Sequence, residues 1–288
     1  MQASLTIPIL FNPTATIFIM KKITTLLVCL LFSAISNAQE TRFIYEVLMK
    51  SNASDLSATQ KELAFLDVSG IRSVFYGENN YKRDSLMQRM RETRNFSSAE
   101  MAGLRSDIGY RIEKDLSEQK ILYTGRIGRD QYQYEEDRKM NWKILPETAV
   151  IGSYKTQKAE TEFAGRKWSA WFTQDIPLQE GPYKFSGLPG LIVKVEDADG
   201  HYEFNLKEVK KIAAPAMFFS RGNIVQLKRA DFEKQMQKFR ADPTSFMMRS
   251  GSRAGGNRGA TQADPNRRRE MENRSKEMLE RMSNPLER

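Results

Sequence analysis

The stretch LIVKVEDADGHYEFNL, residues 191–206, decides the fold. Leu191 to Val195 is an apolar run of strand type. Tyr202, Phe204 and Leu206 alternate with polar residues on the far side of Asp199-Gly200. An Asp-Gly pair between two such runs predicts an antiparallel hairpin, because Gly reaches the positive φ of a tight turn without a steric penalty. The pattern repeats upstream. Ala164-Gly165-Arg166 reads as a turn after a polar strand carrying Tyr154, Ala159 and Phe163. In the next strand Trp168, Ala170 and Phe172 face one way and Trp171 the other, and Ile176-Pro177 closes it. Pro146 is expected to end the strand that begins near Asn141.

The same reading extends toward the N-terminus. Phe43, Tyr45 and Val47 alternate with Ile44, Glu46 and Leu48, so both faces of that strand are expected to be covered. Phe65 to Val68 and Ser73 to Gly77 form a second hairpin about Ser69-Gly70. Tyr81 to Ser106, rich in Arg, Glu and Met, reads as a helical or mobile excursion. Strands resume at Tyr110–Lys114, Lys120–Thr124 and Gln131–Glu135, with a turn expected over Gly125–Gly128. Toward the C-terminus, Phe232, Met236 and Phe239 form one stripe of a helix over Ala230–Phe239, stopped by Asp242-Pro243 and expected to cover the sheet. The resulting fold class is mainly β with an α+β character: a curved antiparallel sheet or partly open barrel carrying one or two helices.

Three segments follow from composition: a leader over 1–38, a β-rich domain over 39–248 and a basic tail over 249–288. The leader has a basic start at Met20-Lys21-Lys22, an apolar run from Ile23 to Ile35 and the small-x-small triplet Ser36-Asn37-Ala38. That order predicts a secretory signal starting at Met20 and cut between Ala38 and Gln39. Cys29 is the single cysteine, so a processed chain would hold no thiol and no disulfide. The net charge of +9 would suggest nucleic acid in a cytosolic protein. In an exported one it points to anionic lipid or an acidic protein surface, and no nucleic-acid partner is expected. From Arg249 the chain is rich in Gly and Arg, then carries Met271, Met278 and Met282 in a charged segment. A solvated helix leads the readings of that tail, ahead of a peripheral membrane contact and of Cu(I) capture by thioethers.

The hexamer GLPGLI, Gly187 to Ile192, carries a resemblance. It follows Gly181-Pro182-Tyr183-Lys184-Phe185-Ser186. Upstream stand Asn141 to Pro146 and Gly165-Arg166 leading into Trp168 to Thr173. In these stretches the chain resembles the GLPGLI family, exported proteins of Gram-negative bacteria with no established activity. The resemblance implies export to the periplasm or envelope and a β-rich fold; it supplies no catalytic residues. Thr156 lies where relatives often carry a cysteine, and the excursion after Asp84 is longer than expected. Asn284-Pro285-Leu286-Glu287 resembles a terminal signature of the family, which implies that the tail end docks.

Catalytic patterns are weak. His201 is the single histidine, and no G-x-S-x-G elbow is present. Asp197-x-Asp199-x-His201 lacks the later glycine and glutamate of a calcium loop and reads as a turn. Arg166, Asp175 and Glu180 read as turn or cap residues. No metal and no cofactor are expected. Aromatic density beside the rigid turn of Gly187, Pro189 and Gly190 suggests a carrier for an apolar or amphipathic ligand such as a lipid. Its contact residues would be Trp168, Trp171, Phe172, Tyr183, Phe185, Leu188, Leu191 and Ile192. The competing reading is that these side chains fill the core. Alternatives are an envelope adaptor, whose tail contacts a protein partner and can be removed with little loss of stability, and a hydrolase using Glu196, Asp197 or Asp199.

Overall fold

The structure is a computed structural model that describes residues 40–96, 98–128, 130–216, 218, 223–244 and 265–288. The leader and Cys29 lie outside the described residues, as does most of the Gly- and Arg-rich stretch. The unit Glu40–Arg288 is built on one open sheet of twelve strands.

Two meanders are joined edge to edge. The first runs β1 (Glu40–Met49), β2 (Gln60–Ser69), β3 (Arg72–Gly77), β4 (Arg111–Asp115), β5 (Lys120–Ile127) and β6 (Asp130–Glu135). The second runs β7 (Lys143–Ile151), β8 (Tyr154–Phe163), β9 (Arg166–Thr173), β10 (Leu191–Asp197) and β11 (Tyr202–Ile212). They meet where β1 pairs antiparallel with β11, from Glu40↔Ile212 to Met49↔Tyr202. The hairpin read from Asp199-Gly200 therefore sits beside the strand that starts the domain. The last strand, β12 (Ile224–Gln226), adds to β6 in parallel, so the sheet is not wholly antiparallel. β12 and β7 remain as edges, so the sheet does not close into a barrel.

Helices α1 (Glu78–Thr93) and α2 (Ser98–Ala102) fill the excursion between β3 and β4. Helix α3 (Arg229–Ala241) carries the predicted stripe: Phe232 and Phe239 are buried against Ile127 and Tyr134, so it does cover the sheet. Helix α4 (Pro265–Arg281) occupies the charged segment of the tail.

Two expectations are corrected. Pro146 does not end a strand; β7 runs through it, with a register irregularity between Ile144 and Thr148. An edge strand can accept a residue that lacks an N–H, and a bulge absorbs the mismatch. Gly125 does not begin a turn; it pairs with Tyr132 inside β5. A Cβ there would lie 2.6 Å from Cε1 of Tyr123, so the missing side chain makes room for that ring.

The main core joins Phe43, Tyr45 and Val47 of β1 to Leu66, Phe75 and Ile112 of the first meander and to Ala170, Phe172, Val195 and Phe204 of the second. Tyr183, Phe185 and Leu188, from the β9–β10 connection, belong to the same cluster. Strands far apart in the sheet thus share one interior, and the connection 174–190 fills it. This connection is pinned across the sheet. Tyr45 donates to the carbonyl of Ile192 at 2.7 Å, and Trp142 Nε1 donates to the carbonyl of Ser186 at 2.9 Å.

Candidate functional site

The glycine–proline hexamer shapes the core. Gly190 N–H donates to the Leu188 carbonyl at 2.8 Å, a three-residue turn about Pro189. A Cβ on Gly190 would lie 2.0 Å from the carbonyl oxygen of Thr173. Only glycine allows that approach, and it delivers Leu188, Leu191 and Ile192, all 0% exposed, to the interior. Gly187 and Pro189 remain exposed at the turn's surface.

The eight residues expected to contact a ligand divide clearly. Trp168, Phe172, Tyr183, Phe185, Leu188, Leu191 and Ile192 are buried in the core cluster, and Trp171 packs half-buried against it. Phe185 lies at the centre, with ring contacts to Trp142, Phe163, Trp168, Tyr183 and Phe204. These side chains fill the interior with one another, and the space around the hexamer is occupied by the chain's own connection.

Three groups of buried charges were not read from the sequence. In the first, Lys114 on β4 binds Glu180 at 2.6 Å and donates to the carbonyls of Gly181 and Phe185. Ser73 donates to the same carboxylate at 2.8 Å. In the second, Arg166 binds Asp197 at 2.6 Å, and both side chains are 1% exposed. Asp197 also accepts from the backbone N–H groups of His201 and Tyr202, each at 2.7 Å. Asp197, Asp199 and His201 do come close enough to resemble a metal cluster. Arg166 and Arg288 lie against it, however, so the carboxylates are already neutralised by guanidinium groups. Asp175 is exposed.

The third group involves the C-terminus. Lys184, 0% exposed, binds Glu136 at 2.6 Å and Glu287 at 2.5 Å and donates to the Tyr134 hydroxyl at 2.9 Å. Its ammonium also faces the rings of Tyr123, Tyr134 and Tyr183, 5.0–5.4 Å from their centroids. Arg138 bridges the two carboxylates at 2.7 and 2.8 Å. Burial works to raise the pKa of Glu136, but the hydrogen bonds from Arg138 and the charge of Lys184 outweigh it and hold it at about 2. Glu287 is lowered for the same reason: Lys184 and Arg138 overcome its burial. Tyr183, whose hydroxyl donates to Glu287, has a φ of 54°, a strained value for an aromatic residue.

The terminal motif docks. Arg166 donates to Asn284 Oδ1, to the Pro285 carbonyl and to the Leu286 carbonyl at 2.7, 2.7 and 3.1 Å. Tyr202 donates to the Asn284 carbonyl at 2.6 Å, and Arg288 N–H to the Ala164 carbonyl at 2.8 Å. Residues 284–288 are thus part of the domain's interior bonding, despite lying beyond the boundary expected at 249. A tail dispensable for stability is not what this geometry provides.

Beside these contacts lies a cavity of about 890 Å³. Its floor is aromatic. Tyr110 and Tyr123 stack at 5.7 Å, Tyr123 and Tyr134 at 4.8 Å, and Phe232 of α3 meets Tyr123 edge-on at 5.3 Å. Burial, the largest influence on each, pushes the Tyr110 and Tyr123 hydroxyls well above their ordinary range, so they stay protonated donors at neutral pH. Met236 of α3 and Met278 of α4 form an apolar wall. Arg281 of α4 reaches across to Asp107 at 2.7 Å. Of the residues expected to contact ligand, only Tyr183 lines this space. The alternation of Tyr132 and Tyr134 was the available signal; their neighbours Tyr110, Tyr123 and Phe232 come from separate elements.

The class defined here is a mainly β protein with a filled interior and, among the described residues, a cavity with an aromatic floor. Residues 160–194, which contain the GLPGLI hexamer, match the sequence model of a family described as "Protein of unknown function (Porph_ging)". No curated protein matches the chain. Among solved structures, PNGF-II is similar in its C2 and P21 crystal forms, with 16% identity and TM-scores of 0.50 and 0.49. The similarity covers 70% of this chain and 34% of PNGF-II, so the chain spans about a third of that protein. At this identity the C2 comparison shows a shared fold alone.

Proposed function

We propose that the protein is a non-catalytic binding module whose apolar or amphipathic ligand occupies the cavity between the tyrosine floor, formed by Tyr110 before β4 and by tyrosines of β5 and β6, and helices α3 and α4. The observation that carries this reading is the aromatic stack Tyr110–Tyr123–Tyr134, roofed by Phe232, beside a space of about 890 Å³. That volume suits a ligand of drug or single-chain lipid size. The buried carboxylates support binding over catalysis: Glu136, Glu180, Glu287 and Asp197 each hold a buried cation in direct contact. A carboxylate so neutralised is a poor general base. The leader pattern suggests that this module works in the cell envelope.

The proposed ligand surface lies on this tyrosine floor and not at the hexamer. Titration with N-phenyl-1-naphthylamine, a neutral apolar fluorophore, tests it. Saturable one-to-one binding, weakened by Met236→Trp, is expected, since the indole would occupy the space. Absence of saturable binding would refute the cavity as a ligand site.

A further inference from the structure

Residues 284–288 are held one by one, as a bound peptide is. The Asn284 side chain donates to the Lys50 carbonyl at 2.6 Å and accepts from Arg166 at 2.7 Å. Its backbone N–H donates to the Ser51 carbonyl at 2.8 Å, and its carbonyl accepts from Tyr202. Arg166 holds the next two carbonyls, and Leu286 packs against the main core cluster. Glu287 enters a pocket made by Lys184, Arg138 and the Tyr183 hydroxyl. Backbone bonds fix the course of the segment, while Asn284, Leu286 and Glu287 are read by their side chains.

Without Glu287 its pocket carries excess positive charge. Lys184 and Arg138 face the carboxylate of Glu136. Arg229 approaches Glu136 at 3.7 Å as well, although Asp137 and Glu233 hold it. Lys184 is 0% exposed, and a buried ammonium without a full counter-charge is costly. A carboxylate on an incoming segment removes that cost. The segment also arrives on a long lead. Residues 242–283 separate α3 from Asn284, and α4 alone extends about 25 Å. The described side chains of α4 are mostly exposed, with ties to the domain at Arg281–Asp107 and Ser275–Thr244.

We infer that this groove is a peptide site for the sequence Asn-Pro-Leu-Glu and that it also accepts that segment from a second copy of the chain, so that two copies join by exchanging C-terminal segments. An exchanged segment regains the same contacts, and the added cost is that of association. At low concentration the chain's own segment wins, because its lead keeps it at a high effective concentration.

The test begins with a fluorescein-labelled peptide of residues 283–288, Ser-Asn-Pro-Leu-Glu-Arg, titrated against the full chain and against full-length Glu287→Gln. The substituted segment competes less well, so the peptide is expected to bind Glu287→Gln saturably and about tenfold more tightly than the unsubstituted chain. Full-length Asn284→Ala, which damages the other end of the segment, should behave in the same way. A peptide with Gln in place of Glu should bind at least about tenfold more weakly. Sedimentation of the unsubstituted chain, refolded from urea at high concentration, then reads the exchange. Dimers are expected, and refolding in excess peptide should give monomers, whereas the Gln peptide should not. No saturable binding to either variant would overturn the groove as a peptide site. Affinity equal for the Glu and Gln peptides would overturn the reading of the Glu287 pocket. A chain that stays monomeric at every concentration, or dimers that persist in excess peptide, would overturn the exchange between copies. Binding of the neutral fluorophore to the cavity is read separately, so failure of the peptide leaves that proposal standing.

Discussion

Replacing Lys184 by Met tests the buried ion cluster most directly. The two side chains have similar length and volume, so packing is nearly conserved while one cation disappears. Lys184 contacts Glu136 at 2.6 Å and Glu287 at 2.5 Å, and it is 0% exposed. Removing one partner of a buried pair costs about 3–5 kcal/mol, because a charge is left without compensation. Arg138 still touches both carboxylates, at 2.7 and 2.8 Å, which favours the low end, about 3 kcal/mol. Glu287→Gln alone leaves Lys184 with Glu136 and should cost about 1–2 kcal/mol. The double variant restores a balance: Glu136 faces Arg138 with no surplus anion at Glu287. It should therefore cost about 3 kcal/mol, with a coupling of roughly 1–2 kcal/mol between the sites. Urea unfolding of the four proteins, with a common m-value, reads this out. Additive losses within about 0.5 kcal/mol, or a Lys184→Met loss below about 1 kcal/mol, would refute the account of the cluster.

The remaining predictions address the same architecture. The folded-state pKa of Glu136, about 2, lies below its ordinary value of 4.5. Its contribution, about 3 kcal/mol, is therefore complete above the higher value and disappears as pH falls through the lower one, which urea midpoints across acid pH should trace; a midpoint flat between those values would contradict it. Gly190→Ala should destabilise by at least about 3 kcal/mol, since its Cβ would meet the Thr173 carbonyl at 2.0 Å. Gly187→Ala, with φ +90° but open space, should cost only about 1–2 kcal/mol, and equal thermal shifts for the two would argue against the close approach. Deleting residues 284–288 strips Arg166 of three acceptors and should lower the melting temperature sharply, whereas Asn284→Ala alone should cost about 2 kcal/mol. A deletion that leaves the melting temperature unchanged would show the tail to be dispensable.

Much of the fold was legible because strands announce themselves locally. The alternation of Phe43, Tyr45 and Val47 and the Asp199-Gly200 turn each carry their own signal in a few residues, and the structure places them in β1 and between β10 and β11. The helix stripe of Phe232, Met236 and Phe239 was legible for the same reason. Pro146 and Gly125 were misread because their local preference for breaking a strand yields to position. One lies at an edge with a register shift, and the other makes room for a ring. The candidate site was legible only in part. A dense aromatic block signals burial, but burial in a core and burial against a ligand look identical in sequence. Lys184 was overlooked between Tyr183 and Phe185, although a lone charge among apolar residues needs a partner.

By itself the sequence determined the mainly β class, the hairpins, the covering helix and the rigid aliphatic corner, because these depend on neighbours along the chain. Tertiary structure alone decided that this corner lies in a filled interior and that Glu287, from the last residues, meets Lys184 and Arg138. It also decided that Tyr110, just before β4, and tyrosines of β5 and β6 form a floor beneath Phe232 of α3. Such pairings join residues distant in sequence, and their free energy arises only when folding removes water from both partners at once.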